Sequence, residues 1–291
     1  MSVISRMEAT PSRVRMLLAV LNERGAGETE ERLRDFCSPA TLLRDVPDPI
    51  AIFRSTLNAA KDLGLVEEVG DKLRVRPGVL SRRGDLGDDF FQAIEAVLLA
   101  PEAEQDLGQS DFARAVAWFL MQSPRRPLQW SENYKLWIEK QLAVPEAVRF
   151  DLTSRDRWNS FHYWCRFLGY GEVIAGRALV ADPSRALQRL LPWALGGERE
   201  AAILPLLGSL AKVSPVFENG RIRREVEADA KPEFQREPQR LSPSTSFALF
   251  RLEQQRQLTL DARPDAHAMI LDLGKDAPRR VSHVVIKAAR S

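Results

Sequence analysis

The chain has 291 residues, 44% of them hydrophobic and 28% charged, with 42 lysines and arginines against 40 aspartates and glutamates. That length and composition fit a soluble globular protein of two or three small domains. The near-balanced charge excludes a chain that binds polyanions as a whole, so any nucleic-acid contact must come from local cationic clusters.

Thr10-Pro11 opens the first predicted helix, which runs to Glu23 with Val14, Leu17, Leu18 and Leu21 on one face. Thr10 is placed to cap it, and proline suits the first helical position, where a missing N–H costs nothing. Arg24-Gly25-Ala26-Gly27 ends it, and a second helix from about Glu28 to Cys37 contributes Leu33 and Phe36. A short segment, Pro39 to Arg44, leads to Asp48-Pro49, where Asp48 can accept hydrogen bonds from the amides of a new helix. In that helix Ile50, Phe53, Leu57 and Ala60 recur at helical spacing and Leu63 closes the stripe. Arg54, Ser55, Asn58 and Lys61 lie mainly away from the stripe, and Gly64 supplies the expected left-handed stop. Val66 and Val69, then Leu73 and Val75, flank a hairpin turn at Gly70-Asp71. The second arm alternates Lys72, Arg74 and Arg76 with those apolar residues, so one side packs while the other shows cations. Three helices and a hairpin over residues 8–80 are the order of a winged helix-turn-helix domain, a recognition helix followed by a wing.

Ser81-Arg82-Arg83-Gly84 reads as a polar linker, and residues 85–150 as helical. The predicted helices are Asp88 to Leu99, Ser110 to Gln122 and Ser131 to Leu142; the loop Ser123-Pro-Arg-Arg-Pro127 exposes Arg125 and Arg126. The aromatic density here is that of a core. Residues 154–180 then repeat the earlier layout. Trp158, Phe161, Cys165 and Leu168 form the stripe, Gly169 ends the helix, and two strand-like runs flank Ala175-Gly176. Leu63-Gly64-Leu65 aligns with Leu168-Gly169-Tyr170, and Gly70 with Gly176 after one inserted residue. A second winged-helix-like unit is therefore expected to end a helical segment at 85–195.

A third unit is expected at 200–288. Its first helix reads as Glu198 to Ala211, uncapped and kinked or split by Pro205. Val216 to Val226 reads as a hairpin about Asn219-Gly220, and the proline-rich stretch 229–243 as a loop or linker. Ser244 to Gln255 comes next as a helix, then Leu258 to Leu260, Ala268 to Leu273 and Arg280 to Ile286 as strands. A wide wing tip is expected at Gly274 to Pro278. The fold class is thus mainly α with small β-hairpin wings, α+β overall, in tandem winged-helix domains.

Catalytic motifs are missing where they are usually found: the sequence has no phosphate-binding glycine loop and no HExxH. His162, His267 and His283 show no metal-ligand spacing, and Cys37 and Cys165 read as buried, reduced thiols. The acidic run Glu28, Glu30, Glu31 and Asp35 reads as a solvated helix face. No enzyme activity, cofactor or metal is expected.

For duplex DNA, Arg54, Asn58 and Lys61 are the groove-facing candidates, and Lys72, Arg74 and Arg76 the phosphate contacts. Their counterparts in the second unit are Arg157, Asn159, His162, Arg166 and Arg177. In the third, Arg221, Arg223 and Arg224 form the densest cationic cluster, with Arg251, Arg279 and Arg280 behind them. Each residue alone reads first as a solvated surface charge, and His162 as a surface or satisfied histidine; the collective placement is what raises the functional reading. Two other functions fit the same pattern: a winged-helix scaffold for protein partners, as in condensin-like or multi-subunit assemblies, and a transcription regulator.

Pro11–Leu21, Asp48–Leu63 and Val66–Arg76 resemble the winged helix-turn-helix superfamily. The opening MSVISRMEATPSRVRMLLAVL is similar to the G component of bacterial 7-deazaguanine DNA-modification and restriction clusters. That resemblance implies an accessory subunit acting beside helicase and nuclease partners in antiviral (phage) defence. No transmembrane run and no apolar signal-peptide core are found, so a cytoplasmic location without membrane partners is expected.

Overall fold

A computed structural model describes residues 2–39, 41, 48, 50–80, 87–99, 109–130, 134–143, 152, 154–274 and 278–287. Pro49, the 81–84 linker, most of the 39–44 segment, residues 131–133 at the head of a predicted helix and 275–277 of the wide wing tip lie outside them. The described chain is mixed α/β, with eleven α-helices and small antiparallel sheets. It divides into two compact units, one of residues 1–112 and 154–164, the other of 113–153 and 165–291.

In the first unit α1 (Pro11–Arg24) buries Val14, Leu17, Leu18 and Leu21. Pro11 is its first residue, but the Thr10 hydroxyl lies beside the Ser12 hydroxyl at 3.2 Å instead of capping an amide. α2 (Glu30–Cys37) is capped by Thr29, whose hydroxyl accepts from the Arg32 N–H. α3 (Ala51–Asp62) buries Phe53, Leu57 and Ala60, and Asp48 Oδ1 accepts from the amides of Ile50 and Ala51 at 3.1 Å each. Phe36, expected in the core, is 45% exposed and lies under the Arg24 guanidinium instead. α1 packs on both α2 and α3. β1 (Val66–Val69) and β2 (Lys72–Val75) form the hairpin in the register Val66↔Val75 to Val69↔Lys72. Glu28 adds an antiparallel bridge to Leu73 on the outer edge of β2. α4 (Gly87–Leu98) buries Phe90, Ile94 and Leu98 in an i, i+4, i+8 stripe.

α5 (Ser110–Phe119), β3 (Leu128–Gln129), α6 (Tyr134–Gln141), α7 (Arg155–Phe167), β4 (Glu172–Ile174) and β5 (Ala178–Val180) come next, and the sheet order is β3-β5-β4. Trp158, Phe161, Trp164 and Cys165 of α7 are all buried. Burial pushes the Cys165 thiol well up and half-burial pushes that of Cys37 to about 11, so both are poor nucleophiles at neutral pH.

The last stretch comprises α8 (Ser184–Ala194), β6 (Glu200–Ala202), α9 (Ile203–Val213), α10 (Arg221–Ala228), α11 (Pro243–Gln254), β7 (Leu258–Asp261), β8 (Met269–Leu271), β9 (Arg279–Val281) and β10 (His283–Ile286). Its main sheet has the order β6-β10-β7, and β8-β9 is a separate hairpin. Three expectations are corrected. The helix expected from Glu198 starts at Ile203, so Pro205 falls in its first turn, where no intrahelical N–H bond is lost, and 200–202 are strand. The hairpin expected at 216–226 is a turn followed by α10. Asn219, at φ 63°, does reverse the chain. Beyond that reversal Ile222 and Val226 are buried four residues apart, and Arg221 pairs with Glu225 and Arg223 with Glu227, which is helical spacing. The strand expected from Arg280 to Ile286 is broken by buried Ser282 into β9 and β10, which serve different sheets.

One element order therefore recurs in three stretches: helix, short strand, helix, helix, strand, strand. In each, the last strand pairs with both the early strand and the next-to-last one: Glu28-β2-β1, β3-β5-β4 and β6-β10-β7. In the third, α10 and the β8-β9 hairpin are additions, and α8 packs on both α9 and α11 as α1 does on α2 and α3.

The exit of the third helix is also shared. Leu65 N–H bonds Ala60 C=O, Tyr170 N–H bonds Cys165 C=O and Gln257 N–H bonds Leu252 C=O, each closing a helix about a left-handed residue. That residue is Gly64 (φ 66°), Gly169 (φ 81°) and Arg256 (φ 60°). A Cβ on Gly64 would meet the mobile end of Arg76 at 3.1 Å, whereas on Gly169 it would meet the Ala186 backbone nitrogen and Arg185 Cβ at 2.9 Å. Gly64→Ala should therefore cost about 1 kcal/mol and Gly169→Ala distinctly more, about 2–3 kcal/mol, measured by urea denaturation.

Candidate nucleic-acid interface

In the first unit the apolar stripe of α3 turns Arg54 outward, exposed, and leaves Asn58 and Lys61 half-buried at the edges. The pleat of the hairpin sets Glu67, Val69, Lys72 and Arg74 on its solvent face and Val66, Glu68, Leu73 and Val75 on the other. Arg74 Nε donates to Glu67 Oε1 at 2.6 Å directly across the strands. Lys61 pairs with Glu68, joining α3 to the hairpin. Lys72, Arg74 and Arg76 are all exposed.

The cations are thus where the alternation placed them, but not alone. Glu67, Glu68 and Asp71 carry as many charges as Lys72, Arg74 and Arg76, so the hairpin is neutral, with acid on β1 and base on β2. Exposed pairs of this kind contribute about 0–1 kcal/mol, so phosphate can replace either carboxylate at little cost.

In the second stretch the candidates scatter. Arg157 and Asn159 are half-buried, and the Arg157 charge acts on Asp111. Burial raises the Asp111 carboxyl, against the Ser2 hydroxyl at 2.6 Å and that arginine. His162 is buried, its ring 4.2 Å from that of Tyr163. Arg166 and Arg185 both approach Glu172, at 3.5 and 3.9 Å. Arg177 is exposed at the β4–β5 turn.

The cluster at Arg221, Arg223 and Arg224 is on α10, not on a wing. Arg221 Nη1 donates to Glu225 at 2.6 Å, and Arg223 is 1% exposed, bonded to Glu227 Oε1 at 2.8 Å and to the Ala117 carbonyl at 3.2 Å. Only Arg224 of the three falls among the exposed residues. Arg251 pairs with buried Asp182 and Arg279 with Glu253, whose carboxyl that pairing holds below its ordinary range; Arg280 is exposed. In the 123–127 loop, Arg126 covers the Trp137 ring at 4.3 Å and Arg125 reaches the Leu273 carbonyl.

Around α10 the structure shows a feature that sequence spacing does not carry. Glu218 is buried and accepts from the Ser242 N–H at 2.8 Å, while Arg236 stands 3.2 Å from its other oxygen. Burial alone would raise this carboxyl, but the charges of Arg223 and Arg236 with the Ser242 hydrogen bonds outweigh it and hold it below the usual range.

The described residues contain no group of three or more His, Cys, Asp or Glu that could hold a metal ion, and no helix long and apolar enough to cross a membrane. They define a mixed α/β protein of recurring helix-and-hairpin units, with three exposed cations at the first hairpin. The DpdG-like family model matches residues 1–266, and the chain belongs to that family. Membership associates it with the Dpd DNA-modification system, in line with the resemblance carried by its opening residues. Among curated proteins and among solved structures nothing matches the chain.

Proposed function

We propose that the chain is a non-catalytic DNA-binding component of the Dpd system that also positions partner proteins, built of three winged helix-turn-helix units in tandem over 8–80, 85–195 and 200–288. The recurring element order with its shared sheet order supports three such units, with α8 counted as the first helix of the third, so that the third begins before Ser184 and not at 200. The observation that carries the DNA reading is the hairpin of the first unit, where Lys72 and Arg74 of β2 and Arg76 just after it are exposed, together with the exposed Arg54 of α3. In this reading the hairpin cations anchor phosphates, Arg54 and Asn58 read the groove, and exposed Arg166, Arg177, Arg224 and Arg280 add weaker contacts. Buried Arg223 and His162 are left out of it.

Fluorescence anisotropy with a random duplex at two salt concentrations tests the proposal. Binding of about micromolar strength that weakens steeply with salt is expected, through release of counterions from the phosphates. Absence of binding at low salt would overturn it. The second reading, a docking scaffold for protein partners without DNA contact, is favoured by Leu136 and Trp193, each 61% exposed. A duplex-silent chain that captures the other Dpd proteins would establish that reading instead.

A further inference from the structure

The third stretch differs from the other two at the left-handed residue that ends its third helix. Glycine takes this conformation without strain and stands there twice, as Gly64 and Gly169; the third position is Arg256. The last carbonyls of α11 are already satisfied by backbone amides, Gln255 N–H to Arg251, Arg256 N–H to Glu253 and Gln257 N–H to Leu252. A glycine would close the helix equally well, so the arginine side chain is not needed for the turn.

That side chain lines a groove of about 700 Å³ formed by α8, the end of α11 and the paired strands β7 and β10. Leu191, Leu252, Leu258 and Ile286 give it an apolar lining. Gln188, Gln255 and Gln257 add amides, and exposed Arg256 and Lys287 supply its charge. Among the described residues no acidic side chain lines it. Glu253, on the same turn of α11, is held mainly by Arg279 and by the Leu260 N–H, and the Lys287 charge acts on it more weakly.

We propose that this groove docks an acidic amphipathic segment of a partner protein, its aliphatic side chains on the lining and its carboxylates on Arg256 and Lys287. A duplex backbone has nothing to place against aliphatic side chains, whereas a peptide uses both those and the glutamine amides, which pair with main chain. The inference deepens the partner-positioning part of the proposed function, and a duplex titration on the same variants keeps the two apart.

The test is anisotropy of a fluorescein-labelled acidic amphipathic peptide, leucines at helical spacing among glutamates, against the full chain, with a control in which lysine replaces every glutamate. The acidic peptide should bind and the basic one should not. Arg256→Gly should weaken the acidic peptide about five- to tenfold while the melting temperature stays level or rises, since strain is relieved. Arg256→Glu with Lys287→Glu, both at exposed positions, should abolish that binding and leave duplex affinity unchanged. Equal binding of both peptides, binding of neither, or an Arg256→Gly chain that binds as the parent does would overturn the proposal. So would a fall in duplex affinity with no change for the peptide.

Discussion

Changing Arg74 and Arg76 together to glutamate is expected to remove duplex binding while leaving the fold intact. Both side chains are exposed, Arg74 on the solvent face of β2 and Arg76 just beyond the strand with its guanidinium end near Gly64, while Leu73 and Val75 face the other way. The hairpin goes from neutral to a net charge of minus four, from three cations and three carboxylates to one and five. Two of the three hairpin phosphate contacts become repulsions, and only Lys72 remains. Loss of two contacts alone should lower the salt slope of log affinity by about two, and repulsion should weaken binding at low salt more than about tenfold. The structural cost is small, because the Arg74–Glu67 pair is solvent-screened. Circular dichroism should therefore match the parent. Unchanged affinity would place the DNA contact elsewhere, with exposed Arg166, Arg177, Arg224 and Arg280 next to be replaced. The converse change, Glu67 and Glu68 to glutamine, should tighten binding several-fold, since it unmasks the cations that these carboxylates now face.

How much the sequence made legible depends on how local each signal is. α1, α3 and the β1–β2 hairpin were readable to within a residue or two because stripe, stop and turn are adjacent in the chain: Phe53, Leu57 and Ala60, then Gly64, then Gly70-Asp71. The match of Gly64 to Gly169 was readable for the same reason. The early strands, the Glu28 bridge, β3 and β6, went unread, since each is at most three residues long and is defined only by a distant partner. α8 also went unread, its helical stripe crowded by Pro183 and Pro192. Asn219-Gly220 misled because a reversal can open a helix as well as a hairpin, and only the Arg–Glu spacing beyond it distinguishes them. Charge was the least legible quantity. Three arginines in four residues look like a surface cluster, yet Arg223 is buried because Glu218, Glu227 and the Ala117 carbonyl meet it there. Arg256 carried no motif, and its meaning comes from standing where two glycines stand in the other repeats.

That burial makes Glu218 the position where one substitution should cost most stability. Glu218 and Glu227 face Arg223 and Arg236, four charges of which Glu218 and Arg223 have side chains 1% and 2% exposed. The group ties α10 to the chain before α11, and Arg223 carries it on to α5 through the Ala117 carbonyl. Glu218→Ala removes one carboxylate and leaves a buried guanidinium short of charge and the Ser242 N–H without its acceptor. The expected loss is about 3–5 kcal/mol, seen as a lower urea midpoint. Glu218→Gln keeps the shape and an acceptor for Ser242 and should lose less. The parent and Glu218→Gln also differ in pH dependence. A carboxyl held below its ordinary range in the folded chain adds stability above its unfolded pKa, and that stability is lost as pH falls through the folded value. The parent should therefore exceed Glu218→Gln most at neutral pH, and the gap should close in acid, below the usual carboxylate range. A gap that stays constant with pH would mean that Glu218 acts by shape and hydrogen bonding, and that the guanidiniums of Arg223 and Arg236 are held by Glu227 and the backbone alone.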